Sequence, residues 1–136
     1  MTTVRLTNRL AYAIFEDISA QVKGGPKGEI MSFEHINNDN FEQQVLKSDR
    51  PFLLEFGAVW CSPCKRLEPE LEKLQATWGE KVRLGKLDVD ESTDVTMQFE
   101  VMSVPTVMLF VDGQVKERIA GYQPLPRLID KFEPHI

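Results

Sequence analysis

Apolar and polar positions along the chain change period several times. From residue 1 to 22, Leu6, Leu10, Ile14 and Ile18 recur every four residues, with Ala13, Phe15 and Val22 beside or near the stripe. That spacing predicts an amphipathic helix. Gly24-Gly25-Pro26-Lys27-Gly28 reads as a break or linker after it. From Ile30 the pattern alternates between strand and helix. Ile30 to Ile36 reads as a short first strand. Asp39 as cap and Glu42 three residues on predict a helix start, with Phe41, Val45 and Leu46 inward as far as about Lys47. Ser48-Asp49-Arg50-Pro51 breaks it. Phe52 to Gly57 is nearly all apolar, as a strand covered on both faces should be. Leu67, Leu71, Leu74 and Trp78 give the inner face of a helix that runs to about Trp78 or Gly79, kinked at Pro69 and capped by Gly79. Val82 to Val89 is the next strand. Ser92 or Thr93 caps a short helix through Glu100, with Val95 and Phe99 inward. Thr106–Val111 and Val115–Ala120 form a hairpin around Asp112-Gly113. A last helix between Pro124 and Pro134 turns Leu125, Leu128, Ile129 and Phe132 inward. The class is α/β, with one domain over residues 30–136 and an N-terminal extension with linker over 1–29.

One charge interrupts the central strand. Glu55 sits among Phe52, Leu53, Leu54 and Phe56. A carboxylate buried there needs a reason, and an apolar site raises its pKa toward neutrality, which suits a general base. The other reading is a strand end open to water with Glu55 turned outward.

Six residues after Glu55 comes Cys61, and the only other cysteine, Cys64, follows three residues beyond it. The pair lies where the strand hands over to the helix N-terminus. Unpaired N–H groups and the helix dipole stabilise a thiolate there, which makes Cys61 the expected nucleophile. Cys64, one turn on, is placed to resolve a mixed disulfide at Cys61. Pro63 suits the first turn, where its missing N–H is not needed. A zinc site needs four ligands, and no second cysteine pair exists; His35 and His135 are far off and unpaired. A purely structural bridge across so small a loop gains little. No metal is expected.

Composition narrows the field. At 136 residues, 42% hydrophobic and 27% charged, the chain suits a globular domain. The net charge of -5 leaves no basic footprint for nucleic acid. No apolar run approaches the ~20 residues that span a bilayer. Glu16 and Asp17 interrupt the N-terminal stripe, which argues against a secretory signal or transit peptide. That stripe is read as packing on the domain, on a second copy of the chain or on a partner, with a membrane-surface helix the weaker option.

Trp60-Cys61-Ser62-Pro63-Cys64-Lys65 resembles the active-site motif of the thioredoxin family, whose commonest form has Gly in place of Ser62. The likeness covers residues 30 to 136. It implies a thioredoxin fold: a mixed sheet of four to five strands flanked by helices, here with an extra N-terminal helix. Pro69 matches a kinking proline of the family. Met102-Ser103-Val104-Pro105-Thr106 matches a segment in which the proline follows a cis bond and faces the cysteines. That exposes the Val104 backbone to an extended substrate, as at a sheet edge. Gly121 matches a glycine near the same groove. The family places an Asp where this chain has Glu55, behind the resolving cysteine, and often a Trp where this chain has Gly57; Gly57 implies a looser floor. Lys86 matches a lysine near the buried carboxylate; it either pairs with Glu55 or faces outward.

The resemblance implies reduction of protein disulfides through a Cys61/Cys64 cycle. Val59, Trp60, Ser62, Pro63, Val104, Pro105 and Gly121 would contact the substrate, and Glu55 and Lys86 would serve the chemistry. A flavin-dependent thioredoxin reductase would restore the dithiol, with no bound cofactor, in the cytoplasm. Two alternatives stay open: an isomerase or oxidant in an oxidising compartment, and a binding or assembly subunit that uses residues 1–30.

Overall fold

The structure, a computed structural model, describes residues 33–136. The expected helix over 1–22, the linker and Ile30–Ser32 lie outside the described residues. Among the described residues five strands form one sheet: β1 (Glu34–Ile36), β2 (Phe52–Gly57), β3 (Arg83–Asp88), β4 (Thr106–Val111) and β5 (Gln114–Ala120). The order is β1-β3-β2-β4-β5. β3 runs parallel to both β1 and β2, whereas β4 is antiparallel to β2 and β5. Among the described residues three α-helices flank the sheet: α1 (Ser62–Trp78), α2 (Thr93–Gln98) and α3 (Leu125–Phe132). The mixed, two-sided sheet bears out the expected fold class.

Alternation along β2 sorts its side chains between two cores. Leu53 joins Leu67, Leu71, Leu74, Leu84, Val107 and Leu128 beneath α1 and α3. Phe52, Leu54 and Phe56 join Ile36, Val45, Leu87, Val95 and Phe110 on the opposite face. Phe41, Phe99 and Phe110 meet edge to face there, with centroids 5.4 to 5.7 Å apart. Each buried Leu or Phe is worth about 1.5–3 kcal/mol by removal from water. The same parity points Glu55 and Gly57 toward the α1 side, with Leu53. Lys86 and Asp88 share that side of β3 with Leu84.

Several boundaries differ from the sequence reading. The first helical piece is a π-type segment, Glu42–Leu46, closed by Lys47 N–H to the Glu42 carbonyl at 3.0 Å. Asp39 does not cap it. Asn37 Oδ1 accepts from the N–H groups of Asp39 and Asn40, and Asn40 Oδ1 accepts from Asn37 N–H. The reciprocal cap therefore sits two residues earlier, because the short amide of Asn37 folds back on its own turn. Ser92 precedes α2 without a side-chain cap bond; Asn38 Oδ1 reaches across to Val95 N–H at 3.1 Å instead. Helix α1 runs on through Pro69 and ends at Gly79, whose φ of 67° is one that glycine adopts freely.

Candidate active site

The end of β2 delivers the chain to α1 through Ala58, Val59 and Trp60. Cys61 is the N-cap residue of α1, and its Sγ accepts from Cys64 N–H at 3.2 Å. The bond uses one of the N–H groups that a helix start leaves open. A thiolate on Cys61 would meet the same donor and the positive end of the helix. Pro63 occupies the first turn, as expected. Cys61 and Cys64 are joined as a disulfide with Cα atoms 5.3 Å apart. Both are buried, with Cys64 the deeper. Ser62 is exposed between them and Pro63 is half-buried.

Glu55 faces inward, so the reading with an open strand end fails. The residue has 0% exposure, and neither carboxyl oxygen finds a hydrogen-bond partner. Burial pushes its pKa from 4.5 up to about 8; the neighbouring Glu68 carboxyl adds to the rise, while Lys86 and Lys65 pull it down. Glu55 is therefore protonated in most molecules at pH 7.

Gly57 lets the carboxyl approach the disulfide. A Cβ built on Gly57 would sit 3.1 Å from Cys64 Sγ and 3.4 Å from Glu55 Oε2. A side chain at position 57 would crowd the sulfur and touch the carboxyl oxygen, so glycine is what keeps this space free. Beside it opens a cavity of about 90 Å³, lined by Glu55, Gly57, Val59, Lys65, Glu68 and Lys86 among others.

Lys86 lies next to Glu55 in the β2–β3 register but does not bond it. Its Nζ is 3.5 Å from Glu68 Oε1 and 5.3 Å from the Phe33 ring centroid. Of the two readings of Lys86, the side chain is half-exposed and forms an ion pair with Glu68 in place of a bond to Glu55, on which it acts through charge alone. Sequence reasoning missed Glu68. Its signal was the spacing: four residues after Cys64 on a helix, it falls on the same face.

The Val104–Pro105 bond is cis, as the resemblance implied. Pro105 is buried and Val104 half-buried. Gly121 N–H donates to the Pro105 carbonyl at 2.7 Å, which ties the end of β5 to this loop. Gly121 has φ 87° and open space where a Cβ would point. Trp60 is 65% exposed and its Nε1–H donates to Asp90 Oδ2 at 2.8 Å, a partner the sequence reading did not assign. Between Trp60 and Val104 lies an open groove of about 380 Å³, floored by Val89 and Val101 and edged by Met102, which is 91% exposed. Val59, 72% exposed, stands on the other side, over the Glu55 cavity. Among the described residues no three His, Cys, Asp or Glu side chains group as a metal site, and no helix is long and apolar enough to cross a membrane.

The thioredoxin family model matches residues 32–133. A thioredoxin of Alicyclobacillus acidocaldarius is 41% identical over 93 residues, covering 68% of this chain and 88% of that one. A thioredoxin of Staphylococcus saprophyticus is 36% identical over 106 residues, 78% of this chain and all of its own length. One from Haemophilus influenzae is 40% identical over 102 residues, 75% and 95% of the two chains. With the dithiol at a helix N-cap, a cis proline nearby and this similarity along three quarters of its length, the chain belongs to the thioredoxin family and is a thiol–disulfide oxidoreductase working through Cys61 and Cys64.

Proposed function

We propose that the protein reduces protein disulfides with Cys61 as nucleophile, Cys64 as resolving thiol and Glu55 as proton acceptor. The Cys61 thiolate attacks one sulfur of the substrate bridge. The substrate S–S bond breaks, and its other sulfur leaves as a thiolate that takes a proton from water. Glu55, once it has lost its own proton to solvent, takes the proton of Cys64, and the Cys64 thiolate attacks Cys61 Sγ. The second substrate sulfur departs, and the Cys61–Cys64 disulfide remains. Two electrons have passed from the dithiol to the substrate.

The observation that carries this reading is the gap at Gly57, bounded by Cys64 Sγ on one side and Glu55 Oε2 on the other. A carboxylate there is the base within reach of the deeper sulfur, directly or through one water. Trp60, Val104 and the groove between them take an extended substrate segment, with Ser62, Pro63, Pro105 and Gly121 around the sulfurs and Val59 at the rim. A flavin-dependent thioredoxin reductase returns the disulfide to the dithiol in the cytoplasm. Residues 1–22 dock a partner or a second copy of the chain.

The test is trapping. Cys64→Ser should accumulate a mixed disulfide on Cys61, read by mass spectrometry of the digested adduct, and Cys61→Ser should form none at a comparable rate. Equal trapping on Cys64 overturns the assignment of nucleophile. A Cys61–Cys64 potential well above the cytosolic glutathione poise overturns the reducing direction. Removing residues 1–30 should leave turnover of a small disulfide intact and lower it for the docked partner.

A further inference from the structure

The cavity behind the disulfide holds more carboxylate than the proposed chemistry uses. Glu55 enters it from β2, fully buried and without a hydrogen-bond partner. Glu68 enters from α1, one turn beyond Cys64, and its side chain is only 25% exposed. Two charged carboxylates facing one space of about 90 Å³ repel each other, and one proton between them removes the repulsion.

We propose that Glu55 and Glu68 act as one proton-sharing carboxyl pair behind Cys64, which makes Glu68 a positioning residue for the proton transfer. The proposal rests on Glu55 being the base for Cys64, but the pairing itself is a property of the oxidised protein as well.

The charges around the pair are few. Helix α1 brings Lys65 and Glu68. Strand β3 brings Lys86, whose Nζ is 3.5 Å from Glu68 Oε1, and Asp88 at the cavity wall. Strand β4 brings none, since Val107 stands opposite Glu55. Lys86 binds the outer carboxyl and not the inner one, so the shared proton has its place on Glu55, where no cation makes contact. When Cys64 must lose its proton, the pair is first emptied toward the cavity mouth through Glu68, whose carboxylate is a far better acceptor than water. Glu55 then takes the proton from sulfur. The number of protons on the two carboxyls and Cys64 is conserved except for the one released to solvent.

The experiment follows the Glu55 side-chain carboxyl carbon by NMR in the oxidised protein, where no thiol titrates. In the unmodified protein Glu55 should titrate near pH 8. Glu68→Gln should move the Glu55 midpoint down by about one pH unit, and Glu68→Asp should restore part of it. The rising limb of the pH–rate profile for Cys64 attack, measured in single turnover, should move down with it. A structural role for Glu68 alone would change stability and leave both midpoints in place. An unmoved Glu55 titration in Glu68→Gln overturns the pairing. If Glu55→Gln leaves the pH–rate limb untouched while the NMR midpoints still move with Glu68, the pair stands and the role of Glu55 as base falls.

Discussion

Replacing Glu55 by Gln keeps the side chain's size and removes its ionisation. In the folded protein this carboxyl titrates at about 8, against 4.5 for an ordinary one. The folded value is raised, so the native state holds the proton more tightly than the unfolded chain. The stability this proton brings is fully present below about 4.5 and is lost as pH rises through 8. At 1.36 kcal/mol per pH unit, ionising Glu55 in place costs the fold about 5 kcal/mol in all. Glu55 has no exposed surface, so solvent screening does little to reduce that. The variant is free of this penalty but carries a buried amide without partners, which costs about 1–3 kcal/mol at every pH. Urea unfolding of the two oxidised proteins therefore starts with the variant equal or weaker at pH 5. By pH 9 the difference should have swung toward the variant by about 4 kcal/mol. The titrating groups other than Glu68, which shares this proton, are common to both proteins and cancel. A difference that stays flat across this range would mean that Glu55 ionises freely, and the account of its burial would be wrong.

Two further outcomes test the core and the docking surface. Leu71 is wholly buried on the inner face of α1, so Leu71→Ala should lose about 2–5 kcal/mol in urea or thermal unfolding while disulfide exchange per folded molecule stays as it was. Trp60→Phe removes the donor to Asp90 Oδ2; KM for a protein disulfide should rise several-fold with kcat held, and a fall in kcat alone would move Trp60 from docking into the chemistry.

What the sequence made legible was what depends on period and on rigid motifs. The continuous apolar run of β2 announced a strand covered on both faces, and one charge within it was enough to mark Glu55. The cysteine pair after that strand marked a helix start, where open N–H groups can meet a sulfur, and the structure puts Cys61 at the N-cap itself. The partner of Lys86 was not legible. Strand register brings Lys86 beside Glu55, and only the side-chain paths show that its amine reaches Glu68 instead. Glu68 was hidden for a related reason. In a helix with charges at Lys65, Arg66, Glu70, Glu72 and Lys73, a further Glu reads as solvated surface, yet Glu68 lines the cavity beside Gly57 and is only 25% exposed. The cap at Asn37 escaped because Asp39 and Glu42 fit the same rule two residues along. Local hydrogen bonding between Asn37 and Asn40 decided between them.

Glu in place of Asp at position 55 and Gly in place of Trp at position 57 look like two separate departures from the family's pattern, but the structure makes them one. The longer side chain carries its carboxyl to a point 3.4 Å from where a Cβ of residue 57 would be, and Cys64 Sγ lies 3.1 Å from that same point. Any side chain at 57 would press on the sulfur or the carboxyl. Gly57→Ala should therefore cost about 1–2 kcal/mol in unfolding of the oxidised protein. This understates the clash, since Ala is otherwise preferred to Gly in a strand by about 0.5–1 kcal/mol. A double-mutant cycle removes that offset. In the Glu55→Asp background the carboxyl withdraws by one methylene, the backbone term is unchanged, and Gly57→Ala should cost less by about 0.5–1 kcal/mol. Costs that simply add, within about 0.3 kcal/mol, would show that the two positions do not compete for the same space. The nearness of both groups to position 57, from which the proposed proton transfer is argued, would then set no joint limit on residue 57.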